Sequence, residues 1–176
     1  MDKYVNMADI NFDQVLDDAE TVALIELLFF AYRDFVSDPD ALLEQQSFGR
    51  AHHRVVHFVG RDPGMTVAQL LDILRITKQS LSRVLKDLID KGYIYQKEGE
   101  TDRRQRLLYL TQKGEDLRQQ LMAPQMARIR RAVAEASPQE GDRMRAMLYH
   151  LISPENREGV QSWIDRLSGA GAKSGG

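Results

Sequence analysis

Between Thr66 and Gly114 two apolar helical stripes, a tight turn and a hairpin follow one another with almost no connecting chain, and few folds accept that order. In the first part Val67, Leu70, Leu71 and Leu74 recur at helical spacing, with Thr66 placed to cap them. After Arg75 and Ile76, Thr77 can cap a second helix. There Leu81, Leu85 and Leu88 fall at i, i+4 and i+7, widened by Val84 and Ile89. Gly92 supplies a left-handed stop after Lys91. Helices joined by so short a turn bury their stripes against each other and against a third helix.

The polar face of the second helix indicates a use. Lys78, Gln79, Ser82, Arg83 and Lys86 project away from the leucines, and Ser80 sits near the helix start. These are long donors and small hydroxyls, which suit a helix lying in the major groove of double-stranded DNA. Arg bonds guanine O6 and N7 together, Gln reads adenine, and Lys and Ser hold phosphates. An ordinary solvated surface is the alternative for this face taken alone. Next, Tyr93 to Lys97 and Arg106 to Leu110 read as two strands around a polar loop with one glycine, Gly99. A hairpin directly after such a helix is the wing of a winged helix. Arg103, Arg104 and Arg106 at its tip and base can reach a minor groove, where a narrow width concentrates negative potential. Asp102 repels phosphate, so it is expected to accept bonds from loop amides or to hold an arginine in position. A charged hairpin that only discourages edge pairing is the alternative.

The run from Asp102 to Gly114, DRRQRLLYLTQKG, resembles the wing signature of the MarR family of transcription regulators, D-x-R, then a strand, then L-T-x-x-G. Thr77 to Arg83 is similar to that family's recognition-helix start, and Leu85 to Gly92 to its end. The resemblance is dense over some fifty residues, and the helix order agrees along nearly the whole chain. It implies that Arg104 is the minor-groove arginine with Asp102 as its positioning partner. It also implies that Lys78, Gln79, Ser80, Ser82 and Arg83 face the major groove. The first and last helices would build a two-fold homodimer. One departure stands: some members sense oxidants through cysteine, and this chain has none.

The charge distribution fits. The 176 residues carry a net charge of −2, which is unremarkable for a DNA binder only once divided along the chain. Gly60 to Gly114 holds eleven Lys or Arg against seven Asp or Glu, whereas Met1 to Val59 holds four against eleven. Local asymmetry, not the overall isoelectric point, sets the field that a phosphate feels. Zero cysteines remove disulfides, thiolate metal sites and thiol switches. Met1 to Phe12 is acidic and polar, unlike a secretory signal, and the apolar run Leu27 to Tyr32 is too short for a bilayer, so a cytoplasmic protein without membrane contact is expected.

Outside the motif the chain reads as long helices. Asn11 to Ser37 carries apolar residues on more than one face, among them Val22, Ile25, Leu28, Phe29 and Tyr32, so it must be covered from two sides. Pro39 fits the first turn of a short helix ending at Glu44, and Ser47 the cap of a helix to Gly60. His53 and His57 lie four apart on that helix, a spacing able to ligate zinc or haem. Packing at a helix interface, or lining a small-molecule pocket, is the alternative, and no cofactor is assigned. Thr111 caps a helix from Gln112 to Ala136 that Pro124 should bend. Ser137-Pro138-Gln139-Glu140 and Ser153-Pro154-Glu155 read as two further starts. Three amphipathic helices with little to cover argue for a partner.

No enzyme constellation is present: there is no G-x-S-x-G, Walker loop, G-x-G-x-x-G or H-E-x-x-H. The expectation is a mainly α winged helix-turn-helix, with a two- to three-stranded wing and long dimerisation helices. Residues 1–46 form an N-terminal dimerisation region, 47–114 the DNA-binding lobe, 115–167 the C-terminal dimerisation helices and 168–176 a flexible tail. The function expected is a homodimeric, sequence-specific regulator, read as a repressor, on a near-palindromic operator. A small-molecule effector is left open. The rival readings are a metal- or haem-linked sensor using His53 and His57, and a winged helix that binds protein instead of DNA.

Overall fold

The computed structural model describes residues 16–100, 102–137 and 139–171, with side chains as far as Ser168. The chain divides into two compact units, Met1–Asp38 and Pro39–Gly176. The first contains α1 (Asp18–Ser37). Asp17 caps it through a reciprocal box: its carboxylate accepts the Glu20 amide at 2.8 Å, and Glu20 accepts the Asp17 amide at 3.0 Å. The helix therefore starts later than the apolar pattern suggested, and Asn11 to Val15 lie outside the described residues. None of its residues is buried, although Leu27, Phe29 and Phe30 are among them.

The second unit runs α2 (Asp40–Gln45), α3 (Arg50–Arg61), β1 (Met65–Thr66), α4 (Val67–Leu74), α5 (Lys78–Asp90), β2 (Ile94–Glu98), β3 (Arg106–Leu110), α6 (Gln112–Ala136), α7 (Glu140–Leu151) and α8 (Pro154–Gly171). Its core is built where the sequence put the leucine stripes. Val55, Val56 and Val59 of α3 pack with Leu70, Leu81, Leu88, Ile94, Leu108 and Leu121, all fully buried. The sheet is antiparallel in the order β1-β3-β2, and β1 is a third strand two residues long. Met65 pairs with Leu108 and Thr66 with Leu107, so Thr66 both closes the sheet and caps α4.

Threonine caps set three helix starts. The hydroxyls of Thr66, Thr77 and Thr111 accept the amides of Gln69, Ser80 and Gly114. Gly92, at φ +75°, ends α5: its amide donates to Ile89 and that of Tyr93 to Leu88, the paired bonds of a Schellman stop. That use of Tyr93 moves the start of β2 to Ile94.

Of the three serine starts, Ser47 and Ser137 resolve as helix ends, whereas Ser153 directly precedes α8. Ser47 is no cap; it adopts φ +55° and terminates α2, with its amide donating to Glu44 and that of Phe48 to Leu43. Gly49 opens α3, and its amide donates to Nδ1 of His52 at 3.1 Å. Pro39 precedes α2 as its cap residue, and that helix ends at Gln45. Ser137 is extended and closes α6; its carbonyl accepts the Glu140 amide, forming a turn before α7 starts at Glu140. Pro138 lies outside the described residues. Pro154 does begin α8, and α6 runs from Gln112 to Ala136 through Pro124. α8 is helical as far as Gly171, and the Ser168 hydroxyl donates to the Ile164 carbonyl. Among the described residues no helix is long and apolar enough to cross a membrane.

Candidate nucleic-acid interface

α5 presents its two faces as the spacing required. Leu81, Val84, Leu85 and Leu88 are buried, while Lys78, Gln79, Ser80, Ser82, Arg83 and Lys86 are all exposed. The Ser80 hydroxyl is engaged at the cap, where it accepts from Thr77 Oγ1 at 2.9 Å. The cations fall into two groups. Lys86 is paired one turn on with Asp90, whose hydrogen bond raises its pKa above the usual lysine value. Among the described residues Lys78 and Arg83 have no carboxylate partner. A phosphate or base edge meets no competing anion at those two positions.

The wing divides in the same way. Glu98 and Arg106 face each other across the β2–β3 register and pair at 2.8 Å, so Arg106 braces the hairpin base. Arg103 and Arg104 are exposed at the tip with no carboxylate partner among the described residues. Asp102 accepts the Arg104 amide at 2.9 Å through Oδ1, and its carbonyl accepts the Gln105 amide at 3.0 Å. Its carboxylate thus bends the backbone that carries Arg104 and does not contact the guanidinium. Gly99 is buried beneath this turn: a Cβ there would stand 2.7 Å from the Asp102 carbonyl oxygen. Thr101 lies outside the described residues.

The hairpin is clasped to α6 by the L-T-x-x-G run. Thr111 donates through its amide to the Tyr93 carbonyl at 3.0 Å and through its hydroxyl to the Gly92 carbonyl at 2.7 Å. Gly114 brings the first turn of α6 so close that a Cβ would lie 2.1 Å from the Tyr93 oxygen. On the outer face of the hairpin Tyr95 and Tyr109 stack at 5.4 Å, and the Lys97 ammonium lies over both rings. His52 joins α3 to α5: its Nε2 meets Asp87 at 3.1 Å and its ring stacks on Phe48 at 4.6 Å. His52 and Asp87 were not candidates from sequence, since only the fold brings positions 35 apart together.

His53, buried, and His57, partly buried, lie four residues apart on α3. Burial lowers the pKa of His53, and His57 is pushed down to about 4, first by burial and then by His53, Arg118 and Arg61. Both are therefore neutral at pH 7. Among the described residues no three His, Asp or Glu side chains converge to hold a metal ion. His57 instead borders a cavity of about 520 Å³ between α3 and α6, with Arg61, Arg118, Met122, Met126 and Arg130. Its Nδ1 is buried with no hydrogen-bond partner.

Comparison with known proteins agrees with this architecture. A sequence model of the MarR family matches residues 47–105. The HTH-type transcriptional regulator PetP of Rhodobacter capsulatus is 45% identical over 141 residues, which span 80% of this chain and 85% of PetP. Among solved structures, FabT of Streptococcus pneumoniae in complex with DNA superposes with a TM-score of 0.67 at 22% identity, covering 74% of this chain and 94% of FabT. A putative MarR family transcriptional regulator from Listeria monocytogenes, complexed with a 26mer DNA, gives 0.64 at 18% identity, covering 80% and 91%. These likenesses establish the winged-helix fold, and the relatives are transcription regulators, not enzymes. On the 45% identity with PetP across most of both chains, with the family model matching residues 47–105, this protein belongs to the MarR family of transcriptional regulators.

Proposed function

We propose that the chain is a homodimeric, sequence-specific DNA-binding repressor, with residues 47–114 as the DNA-binding lobe and residues 1–46 and 115–167 as the dimer helices. The observation that carries this reading is that the α5 face and the wing tip expose four cations, Lys78, Arg83, Arg103 and Arg104, with no carboxylate partner among the described residues. α5 enters a major groove, with Gln79, Ser80 and Ser82 beside Arg83, and Arg104 enters the neighbouring minor groove. Lys86 and Arg106 take secondary parts, because a phosphate must compete with Asp90 and Glu98 for them. The dimer is supported by apolar surface that one chain leaves uncovered: Leu27, Phe29 and Phe30 on α1, and Met147, Leu148 and Leu151 on α7. Two-fold symmetry requires a near-palindromic operator with half-sites about one helical turn (~34–36 Å) apart.

The cavity beside His57 combines two methionines with three arginines, which suits a small molecule with an apolar body and an anionic group. Such a ligand alters operator occupancy if it favours one spacing of the lobes by ~1–3 kcal/mol.

Selection of bound sequences from random duplex DNA tests the proposal. The expected product is an inverted repeat with one-turn spacing. Absence of any enrichment at low salt would overturn it and leave a winged helix used for protein contacts.

A further inference from the structure

The last helix has a task within its own chain. α8 is held to the end of α7 by Arg157, whose guanidinium donates to the carbonyls of Ile152 at 2.8 Å and His150 at 2.6 Å. From there it meets three elements of the winged helix. Asn156, in its first turn, accepts from the Arg75 guanidinium at 3.3 Å. Trp163 packs against Phe58 of α3 with ring centroids 5.4 Å apart, and Arg166 donates to the Asp62 carboxylate at 2.8 Å. Asn156 and Trp163 are seven residues apart and lie on one face of the helix. The first and last of these contacts are ten residues apart, about 15 Å along the axis.

Arg75 is no ordinary surface arginine. It forms the tight turn between α4 and α5 and adopts φ +52°, a left-handed conformation that a bulky side chain takes only when its surroundings hold it there. Two residues later Thr77 opens the recognition helix. A rod pinned near both ends cannot pivot, whereas one pinned at a single end can. A swing of about 3.4 Å, the rise of one base pair, at the free end of a rod about 15 Å long is a rotation of roughly 13°.

We propose that α8 is a strut that fixes the angle of the DNA-binding lobe, with Asn156 and Trp163 as positioning residues that determine which half-site spacing the protein accepts. The inference rests on the dimeric DNA-binding reading above. Neither residue touches DNA; both act through the turn and the helix that carry α5. The indole N–H of Trp163 is buried without a partner, so the ring's packing, not its polarity, makes the contact.

The test uses the full-length protein, a selected operator, the same operator with one or two base pairs inserted between half-sites, and a duplex bearing one half-site. Wild type is expected to lose at least about tenfold in affinity on insertion. Asn156→Ala, and Trp163→Ala combined with Arg166→Ala to free the far end, are expected to lose less than about threefold on insertion while matching wild type on the single half-site; Trp163→Phe with Arg166 kept, which retains both contacts there, should keep the discrimination. Undiminished spacing selectivity in both alanine variants overturns the strut. So does a parallel loss of half-site affinity in the mild Asn156→Ala variant, which would mean that the contact supports the lobe's fold and not its angle. If wild type binds no duplex, the functional reading itself fails, which is a separate result.

Discussion

Replacing Gly114 with alanine should be costly, although the same change elsewhere in a helix is favourable. Gly114 lies in the first turn of α6, where a Cβ would stand 2.1 Å from the Tyr93 carbonyl oxygen and 3.1 Å from its carbon. The opposing atoms are backbone and cannot rotate away, so α6 and the start of β2 must separate by about 1 Å. That lengthens the Thr111-to-Tyr93 bond from 3.0 Å and strains the Thr111-to-Gly92 bond at 2.7 Å. Losing both costs about 2 kcal/mol, overpacking adds about 1–3 kcal/mol, and the better helix propensity of alanine returns up to about 1 kcal/mol. The net is a destabilisation of about 2–4 kcal/mol, or about 5–15 °C in Tm for a chain of this length. Two controls set the scale. Gly92→Ala meets nothing within 4 Å but must adopt φ +75°, and should cost about 1–2 kcal/mol. Gly159→Ala, in α8 with open space around it, should stabilise by about 0.5–1 kcal/mol. Urea unfolding at one fixed protein concentration measures all three. A Gly114→Ala protein as stable as wild type would refute the clasp between wing and α6.

Other outcomes follow from the same geometry. Arg83→Ala should cost about 1–3 kcal/mol in operator affinity and relax the preference at one base pair, whereas Lys86→Ala should weaken all sequences alike and by less, because Asp90 already holds that ammonium; salt titrations on matched and scrambled duplexes separate the two. Asp102→Ala should lower operator affinity about three- to tenfold while leaving the unfolding midpoint within about 0.5 kcal/mol of wild type, because it releases only the Arg104 amide at an exposed tip; an equal loss of stability would argue against this. Stability should fall as pH drops from 6.5 towards 4: the unfolded His57 binds a proton in that window and the folded one, at about 4, does not, so the loss reaches about 2–3 kcal/mol. His57→Phe should flatten that slope in urea midpoints taken against pH.

The parts of this fold legible in sequence are those governed by contacts within one turn. Thr66, Thr77 and Thr111 each reach an amide three residues on, so the starts of α4, α5 and α6 followed from spacing alone. Ser47 and Ser137 offered the same residue-level signal and proved to be helix ends, because the chain's direction there is set by where α2 and α6 stop. The α3 start needed a histidine ring to stand in for the usual capping oxygen, which no propensity conveys. At the interface, sequence supplied the residue types but not their partners. The Lys86–Asp90 pair was readable at i, i+4 spacing, whereas Arg106–Glu98 depends on hairpin register, and Arg75–Asn156 spans 81 residues.

Footprinting on a selected operator measures directly whether α5 and the wing grip two grooves of one duplex. Wild type should protect two symmetric patches about 34–36 Å apart, covering guanine N7 in the major groove and adjacent minor-groove sugars. Arg104→Ala should lose the minor-groove protection and keep the major-groove part. A single asymmetric patch, or an unchanged footprint in the variant, would contradict that grip.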